Sequence, residues 1–172
     1  MDFSNVKIRQ SKLSDIESIA KIKVAGFQNA YKGIIDDTFL NAMSVSEQMK
    51  ILKKSYPLEN VFVAETDNEI LGFCRIYDYD KSVYEDEEID CEIRELYVKP
   101  DLKRMGIGSK LFNYILLYFK NKGKKKLYLG CFKDNCNSRK FYEKMGGNSW
   151  HEGELEIKEK TYKIVSYIYI IN

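Results

Sequence analysis

The chain has 172 residues, of which 44% are hydrophobic and 31% charged, and its formal net charge is +2. This length fits one globular domain with a core of its own, so we expect a single domain over residues 1–172. The small net charge argues against nucleic acid as a partner, and no apolar run approaches the roughly 20 residues that a membrane span needs. The first residues carry charge and lack the apolar core of a signal peptide, which indicates a cytoplasmic protein.

The four cysteines are Cys74, Cys91, Cys131 and Cys136, and they show no CxxC spacing. Three of them lie in or beside expected strands, and the chain has a single histidine, His151. This pattern favours small buried thiols in a reducing compartment over disulfides, and no metal site is expected.

The first half of the chain reads as a strand, two helices and a hairpin. Alternation over Val6–Arg9 predicts the strand. Patterns typical of capping boxes, at Ser14–Glu17 and at Ser44–Glu47, predict the starts of the two helices. Val61–Glu65 and Ile70–Tyr77 flank a short polar turn, which predicts a β-hairpin.

An acidic segment, Glu85–Asp90, precedes the next strand. A run of like charges usually forms a solvated loop. The alternative is that these carboxylates draw a cationic amine towards a nearby cleft, and the sequence leaves both interpretations open.

The strongest functional signal is a strand followed by a turn, a glycine-bearing loop and a helix. Glu92–Val98 alternates, with Leu96 and Val98 on one face, and Pro100 ends the strand. Apolar residues at helical spacing follow Gly108. Because a helix start presents unpaired backbone N–H groups, the loop predicts an anion site, most often a phosphate site.

Two known phosphate loops do not fit this stretch. A Walker loop, GxxxxGK[ST], needs a distant first glycine and a lysine directly after the second, whereas Gly108 is followed by Ser109 and Lys110. A dinucleotide fingerprint needs a third glycine after Gly106 and Gly108, and the sequence has none there. The loop alone therefore indicates an anion site without naming the anion.

The last part of the chain predicts a strand, a helix and two closing strands. Residues Lys120–Lys126 include five lysines. The negative end of a helix dipole favours lysines, and this explains the cluster better than nucleic-acid binding does. Leu127–Phe132 is typical of a buried central strand. A helix then ends at Gly146–Gly147, and the strands Glu154–Lys158 and Thr161–Ile170 follow.

Three motifs together resemble the GCN5-related N-acetyltransferase (GNAT) family, whose members transfer an acetyl group from acetyl-CoA to an amine. The first is the strand motif Glu92-x-x-x-Leu96-Tyr97-Val98-x-Pro100. The second, Lys103-x-x-Gly106-x-Gly108, matches the family loop Q/R-x-x-G-x-G/A with lysine at its first position. The third, Asn135-x-x-Ser138-x-x-Phe141-Tyr142-Glu143-Lys144-Met145-Gly146, matches N-x-x-A-x-x-F-Y-E-K-x-G. Ser138 stands where alanine is usual and Gly147 where phenylalanine is common, but no group that the reaction needs is missing.

The resemblance implies an α/β fold with a mixed, mostly antiparallel central sheet flanked by helices, in which a splayed pair of central strands forms the acetyl-CoA cleft. The N–H groups from Arg104 to Ser109 would hold the CoA pyrophosphate, and Lys103 and Arg104 would add charge. The backbone of the strand would pair with the pantetheine arm, and Asn135 would bond the pantetheine or pyrophosphate region. The implied cofactor-binding residues are Leu96, Tyr97, Val98, Lys103, Arg104, Met105, Gly106, Ile107, Gly108, Ser109, Asn135, Ser138 and Tyr142.

The resemblance also implies two groups that handle protons. Tyr142 occupies the family's tyrosine position and would protonate the departing thiolate, although a core aromatic beside Phe141 is the alternative. Glu92 occupies the family's glutamate position and would accept the proton of the amine, directly or through water. Glu95 is the runner-up base, and its other interpretation is a partner of Arg94 or of another surface charge.

The leading hypothesis is therefore an acetyl-CoA-dependent N-acetyltransferase that acts on a primary amine of a small molecule or peptide in a ternary complex. Alternatives are a protein N-terminus or lysine as acceptor, and a CoA-binding sensor without turnover. A closed acidic pocket built from Tyr31–Phe39 and Glu85–Asp90 would favour a small cation. No nucleic acid, membrane or metal is expected as a partner. Many relatives are dimers, so the resemblance is compatible with a homodimer.

Overall fold

The computed structural model describes residues 5–55, 58–67, 69–79 and 88–172. The strands are β1 (Lys7–Gln10), β2 (Val61–Glu65), β3 (Ile70–Asp78), β4 (Cys91–Val98), β5 (Lys126–Phe132), β6 (Asn148–Ile157) and β7 (Lys160–Ile170). The α-helices are α1 (Ile16–Tyr31), α2 (Asp37–Ala42), α3 (Val45–Ser55), α4 (Ile107–Asn121) and α5 (Cys136–Lys144). In the described ranges, no helix combines the length and the apolar composition needed to cross a membrane.

The seven strands form one mixed sheet in the order β1-β2-β3-β4-β5-β7-β6. The pairs β1–β2, β2–β3, β5–β7 and β6–β7 are antiparallel, whereas β4 and β5 are parallel. The register of β4 with β5 joins Cys91 to Leu127 and Glu92 to Tyr128. The mixed, mostly antiparallel sheet with flanking helices confirms the predicted fold class.

The chain divides into two compact units, and each is described by itself. The first comprises Met1–Ile76 and Glu95–Ile115, and the second comprises Tyr77–Arg94 and Leu116–Asn172. Strands β3 and β4 and helix α4 each contribute residues to both units. A single domain over residues 1–172 stays a prediction.

The first unit has a core between α1 and the β-hairpin of β2 and β3. Four apolar residues of α1 recur at helical spacing, so that one face of the helix is buried. The strands contribute alternating or continuous apolar residues to the same cluster. Its buried members include Ile16, Ile19, Ala20, Ile22, Leu52, Val61, Val63, Ile70 and Phe73.

The N-termini of α1 and α3 can be compared with the two predicted capping boxes. The box predicted at Ser14–Glu17 is wrong, because α1 follows a 3₁₀ turn, Leu13–Asp15, and the Asp15 carboxylate accepts the backbone N–H of Lys12 at 2.8 Å. The second prediction is confirmed, since Ser44 Oγ accepts the N–H of Glu47 at 3.2 Å.

Two elements differ in extent from the predictions. Helix α2 was not predicted, although Asp36 caps it by accepting the N–H groups of Thr38 and Phe39. Strand β6 begins at Asn148 and not at Glu154. An irregularity between Ser149 and His151 shifts its register against β7, and this shift hides the alternation on which strand prediction depends. Of the acidic segment Glu85–Asp90, residues 85–87 lie outside the described residues.

The four cysteines are free thiols. Cys74, Cys91 and Cys131 are buried, whereas Cys136 is exposed. Burial raises the pKa of the Cys131 thiol to about 12 and raises the pKa values of Cys74 and Cys91 still further above their usual range. Because the thiolate is the reactive form, these three thiols are chemically inert at neutral pH.

An ion cluster ties β1 to its neighbours in the first unit. The Arg9 guanidinium lies 2.6 Å from Asp15 and 2.6 Å from Glu65, and the Asp15 side chain is only 7% exposed. Burial alone would raise the pKa of Asp15, but the hydrogen bonds from Arg9 and Lys12 outweigh it and hold the pKa below its usual value. The cluster therefore stabilises the fold most above about pH 4, the range in which an unfolded aspartate is ionised.

We expect Arg9→Leu to lower the free energy of unfolding by about 2–3 kcal/mol at pH 7, because it leaves a buried carboxylate without its charge partner. The wild type should lose this contribution as the pH falls through the lowered pKa of Asp15, so the difference from the variant should shrink on acidification. Urea unfolding at pH 7 and pH 3 measures both effects. Lys7→Gln on the same strand is the control, since the Lys7–Asp67 pair is largely exposed and contributes little. Equal destabilisation by the two substitutions would contradict the prediction.

Candidate active site

The glycine loop between β4 and α4 belongs to the first unit and has the backbone of an anion site. Arg104 and Gly106 adopt φ of 65° and 82°, and the first α-helical hydrogen bond runs from the Lys110 N–H to the Gly106 carbonyl at 3.0 Å. A helix that starts this way leaves the N–H groups of Gly106, Ile107, Gly108 and Ser109 without an intrahelical acceptor. Ile107, only 1% exposed, anchors this helix start in the core, while residues 103–106 are exposed. The loop can therefore bind an anion with backbone donors alone.

The Lys103 side chain at the start of the loop contacts helix α1. Its Nζ donates to Asn29 Oδ1 at 2.5 Å, across 74 residues of sequence. The ammonium group of Lys103 thus contacts α1. The prediction that Lys103 adds positive charge near a phosphate did not include this contact. Arg104 and Met105 are exposed.

The end of β4 packs against aromatic residues of the first unit. The Tyr97 ring lies 5.8 Å from the Phe73 ring, and the Tyr97 and Tyr31 hydroxyls lie 3.4 Å apart. Leu96, Tyr97 and Val98 are all half-buried. Lys99 then donates its N–H to the Leu71 carbonyl at 2.9 Å. These contacts hold the strand at the residues predicted to align with the pantetheine arm.

Glu95 lies in a nearly buried ion cluster. Its carboxylate is 2.8 Å from Lys23 Nζ and 3.2 Å from Arg75 Nε, and the three side chains are 11–13% exposed. The prediction that Glu95 pairs with Arg94 or another surface charge is therefore wrong. Arg94 instead pairs with Glu92, because alternate residues of a strand point to the same face. Lys23 and Arg75 therefore occupy the Glu95 carboxylate in this structure.

Glu92 is buried in the second unit, with 6% exposure. The Tyr79 hydroxyl donates to Glu92 Oε2 at 2.5 Å, and Arg94 Nη1 donates to Glu92 Oε1 at 3.1 Å. Both oxygens of the carboxylate are thus fixed in direction. Sequence reasoning named Glu92 but missed Tyr79, which follows β3 and carries no motif.

Asn135 caps helix α5 and retains an unused donor. Its Oδ1 accepts the N–H of Ser138 at 3.1 Å, so the motif residues Asn135 and Ser138 meet. Asn135 is 5% exposed, and its buried Nδ2 has no hydrogen-bond partner among the residues that the structure describes. An unsatisfied buried donor costs about 1–3 kcal/mol, so a ligand that offers an acceptor here would recover that free energy.

Tyr142 lies on α5 with its side chain half-buried. Its ring lies 5.5 Å from the Phe141 ring and 5.9 Å from the Tyr167 ring. Its carbonyl accepts the Gly147 N–H at 3.0 Å and the Tyr169 hydroxyl at 2.8 Å. Tyr142 thus packs among aromatic residues, as the alternative interpretation of a core aromatic implies. The role of Tyr142 as a general acid stays a prediction.

The predicted site residues fall into both units. Leu96, Tyr97, Val98 and the loop Lys103–Ser109 belong to the first, whereas Glu92, Asn135, Ser138 and Tyr142 belong to the second. In the first unit, a short turn, Pro100–Leu102, connects strand β4 to the loop. In the second unit, Asn135 accepts the N–H of Ser138. Cofactor binding by these residues stays a prediction.

Comparison with known proteins identifies the family and the fold. A family profile described as the acetyltransferase (GNAT) family matches residues 29–147. An uncharacterized N-acetyltransferase of Archaeoglobus fulgidus is 29% identical over 80% of this chain and 89% of its own. The crystal structure of PaiA N-acetyltransferase from Thermoplasma acidophilum in complex with coenzyme A has a TM-score of 0.69 and 19% identity, covering 95% of this chain and 99% of that one. YncA of Salmonella typhimurium, solved with acetyl-CoA, has a TM-score of 0.66 and 17% identity, covering 98% of this chain and 95% of that one. The chain belongs to the acetyltransferase (GNAT) family.

Proposed function

We propose that the protein transfers the acetyl group of acetyl-CoA to a primary amine of a small molecule or peptide. The observation that carries this proposal is the loop Lys103–Ser109, which directs backbone donors from a helix start and so suits a pyrophosphate. The unpaired Nδ2 of Asn135 suits the amide carbonyls of a pantetheine arm. Membership of an acetyltransferase family supports the choice of acetyl-CoA over other phosphate-bearing ligands.

The residues that would hold acetyl-CoA are those of the loop, of β4 and of the start of α5. The N–H groups from Arg104 to Ser109 would bind the pyrophosphate, with the N-terminus of α4 adding its positive dipole. The backbone at Leu96, Tyr97 and Val98 would pair with the pantetheine arm, and one of its N–H groups would polarise the thioester carbonyl. Asn135, Ser138 and Tyr142 would complete the site. Acetyl-CoA itself supplies an acetyl thioester with a thiolate leaving group.

Glu92 and Tyr142 would manage the protons of a direct transfer. The amine must lose a proton before it can attack, and Glu92 would accept it, directly or through water. Its hydrogen bonds from Tyr79 and Arg94 keep the carboxylate oriented for this task. Tyr142 would donate its hydroxyl proton to the departing sulfur. Glu95 is the weaker candidate for the base, because its carboxylate lies between two nearly buried cations, Lys23 and Arg75. Among the described residues, Glu92 has a single, exposed cationic partner in Arg94.

A thiol-release assay tests the proposed function. Acetyl-CoA is offered separately with polyamines, aminoglycosides, amino acids, short peptides and folded proteins, and free CoA is measured. Release that depends on a small amine or peptide supports the proposal, and release with folded proteins alone would favour a protein N-terminus or lysine as acceptor. Tight acetyl-CoA binding by calorimetry without release for any acceptor would favour a CoA-binding sensor.

Glu92→Gln should lower kcat about 100-fold at pH 7, because glutamine cannot take the amine proton. Acetyl-CoA affinity should change less than threefold. Glu95→Gln is the matched control: we expect it to lower the free energy of unfolding by about 1–3 kcal/mol, since it removes the anion between Lys23 and Arg75, and to leave kcat within about threefold. Steady-state kinetics and urea unfolding of both variants decide the assignment. A large kcat loss confined to Glu95→Gln would make Glu95 the base.

Three further features stay predictions. A cytoplasmic location agrees with four free thiols. A homodimer agrees with the family resemblance, since many relatives are dimers. Transfer in a ternary complex, without a covalent acetyl-enzyme, predicts that CoA release requires the acceptor amine.

A further inference from the structure

Helix α5 depends on a few specific contacts for its position in the second unit. It has nine residues, from Cys136 to Lys144, and none of them is fully buried. A helix this short has little stability of its own and takes its position from tertiary contacts. The contacts that fix α5 therefore also fix Tyr142.

Two tyrosines of β7 supply three of those contacts, all of them hydrogen bonds. Tyr167 and Tyr169 lie two residues apart on the strand, so that both point to one face. The Tyr167 hydroxyl donates to Glu143 at 3.0 Å and accepts from Arg139 at 3.3 Å. The Tyr169 hydroxyl donates to the Tyr142 carbonyl at 2.8 Å. Side chains of one strand thus hold the second half of α5.

The Tyr169 bond completes the end of the helix. The last four carbonyls of an α-helix have no intrahelical donor, and the Tyr142 carbonyl is one of them. The Gly147 N–H and the Tyr169 hydroxyl satisfy both of its lone pairs. Tyr169 is 4% exposed, and burial raises the pKa of its hydroxyl above the usual range, so the group remains a donor at neutral pH.

Gly147, which departs from the family motif, makes room for this hydroxyl. A Cβ built at position 147 would lie 2.6 Å from Tyr169 Oη, 2.7 Å from Tyr169 Cζ and 3.0 Å from the Tyr142 carbonyl oxygen. Any side chain at this position would displace the tyrosine from the helix end. Gly147 and Tyr169 therefore depend on each other: the missing Cβ of the glycine leaves the space that the tyrosine hydroxyl occupies. This contact is a physical reason for glycine at position 147.

We propose that Tyr169 is a positioning residue for Tyr142: its hydroxyl fixes the last turn of α5 and thereby the direction of the Tyr142 side chain. The proposal rests on the proposed function, in which Tyr142 is the acid. Tyr169 acts through the backbone of Tyr142 and not on the substrate. It should therefore govern the rate of transfer at saturation more than the binding of acetyl-CoA.

Tyr169→Phe tests this inference because it removes one oxygen and keeps the ring. Without ligand, amide hydrogen exchange at Met145, Gly146 and Gly147 should become at least tenfold faster. With acetyl-CoA and an active amine, kcat should fall about tenfold while the KM for acetyl-CoA stays within twofold. A control is Ser166→Ala on the same strand, which removes the hydrogen bond between Ser166 and Tyr128, 3.1 Å in length. Ser166 is 3% exposed, and the control should leave both readouts within twofold of the wild type.

Each outcome decides the inference. Faster exchange together with a selective loss of kcat supports it. Unchanged amide exchange at the end of α5, or an unchanged kcat, in Tyr169→Phe would overturn the inference. An equal loss of kcat in Ser166→Ala would also overturn it, because the effect would then follow from any lost hydrogen bond on the strand. A wild-type protein that binds acetyl-CoA but transfers nothing would instead overturn the proposed function. Gly147→Ala provides an independent check, because it should reproduce the exchange and kcat effects of Tyr169→Phe.

Discussion

Replacing Tyr142 with phenylalanine is expected to lower the kcat of acetyl transfer by about 100-fold or more at pH 7. The substitution removes the hydroxyl that would protonate the departing sulfur, and general acids contribute about 10² to 10⁴ to a rate. The contacts of the ring with Phe141 and Tyr167 should persist, because they involve carbon atoms. Steady-state kinetics with the amine found in the thiol-release screen measures the loss, and calorimetry should show CoA affinity within about threefold of the wild type.

Tyr114→Phe is the control for this experiment. Tyr114 is 38% exposed on α4, and its ring lies 5.8 Å from the Phe62 ring. It loses the same atom and should keep full activity. If Tyr142→Phe also keeps full activity, Tyr142 is a packing residue and the leaving thiolate takes its proton from water.

The second large effect is expected for Gly106→Ala, which should weaken CoA binding about 10- to 100-fold. Gly106 has φ of 82°, where an L-residue is strained by about 1 kcal/mol or more. Relief of this strain would turn an N–H group of the loop away from a phosphate, and losing one charge-assisted hydrogen bond, at about 1.5–3 kcal/mol, accounts for the expected factor. Isothermal titration with CoA measures the change directly.

The chain offers a matched control at the other end of the same helix. Gly123 has φ of 75°, and within the described part of the chain no atom lies within 4 Å of a Cβ added at Gly106 or at Gly123. Gly123→Ala should therefore strain the backbone equally and lower the melting temperature by a similar amount. Its CoA affinity should equal that of the wild type. Equal weakening in both variants would show that general destabilisation, and not the loop, explains the effect.

The parts of the fold that sequence reasoning predicted well depend on short-range physics. Strand β2 matches the predicted Val61–Glu65, because apolar residues and a following turn define a strand locally. The loop was predicted from its two glycines, and one of them, Gly106, has the positive φ that favours glycine. The cap at Ser44 likewise depends on residues three apart.

The parts that could not be predicted depend on residues far apart in sequence. Lys103 meets Asn29 across 74 positions, and Glu95 meets Lys23 of helix α1 and Arg75 of strand β3. No local pattern distinguishes these charged residues from solvent-exposed ones. The alternative interpretation of Glu95, as a partner of Arg94 or of another surface charge, was therefore wrong. Tyr169 was read only as a strand former, because its contact with Tyr142 arises from the folding of β7 against α5.

The unequal burial of the four thiols makes the native chain suitable for single-site labelling. Cys74, Cys91 and Cys131 are buried, so a maleimide dye added at neutral pH should attach to the exposed Cys136. This thiol adjoins Asn135, whose unpaired amide is the donor proposed to meet the pantetheine arm. A fluorophore at Cys136 would therefore report ligand arrival by a change in its emission, on wild-type protein and without an engineered cysteine.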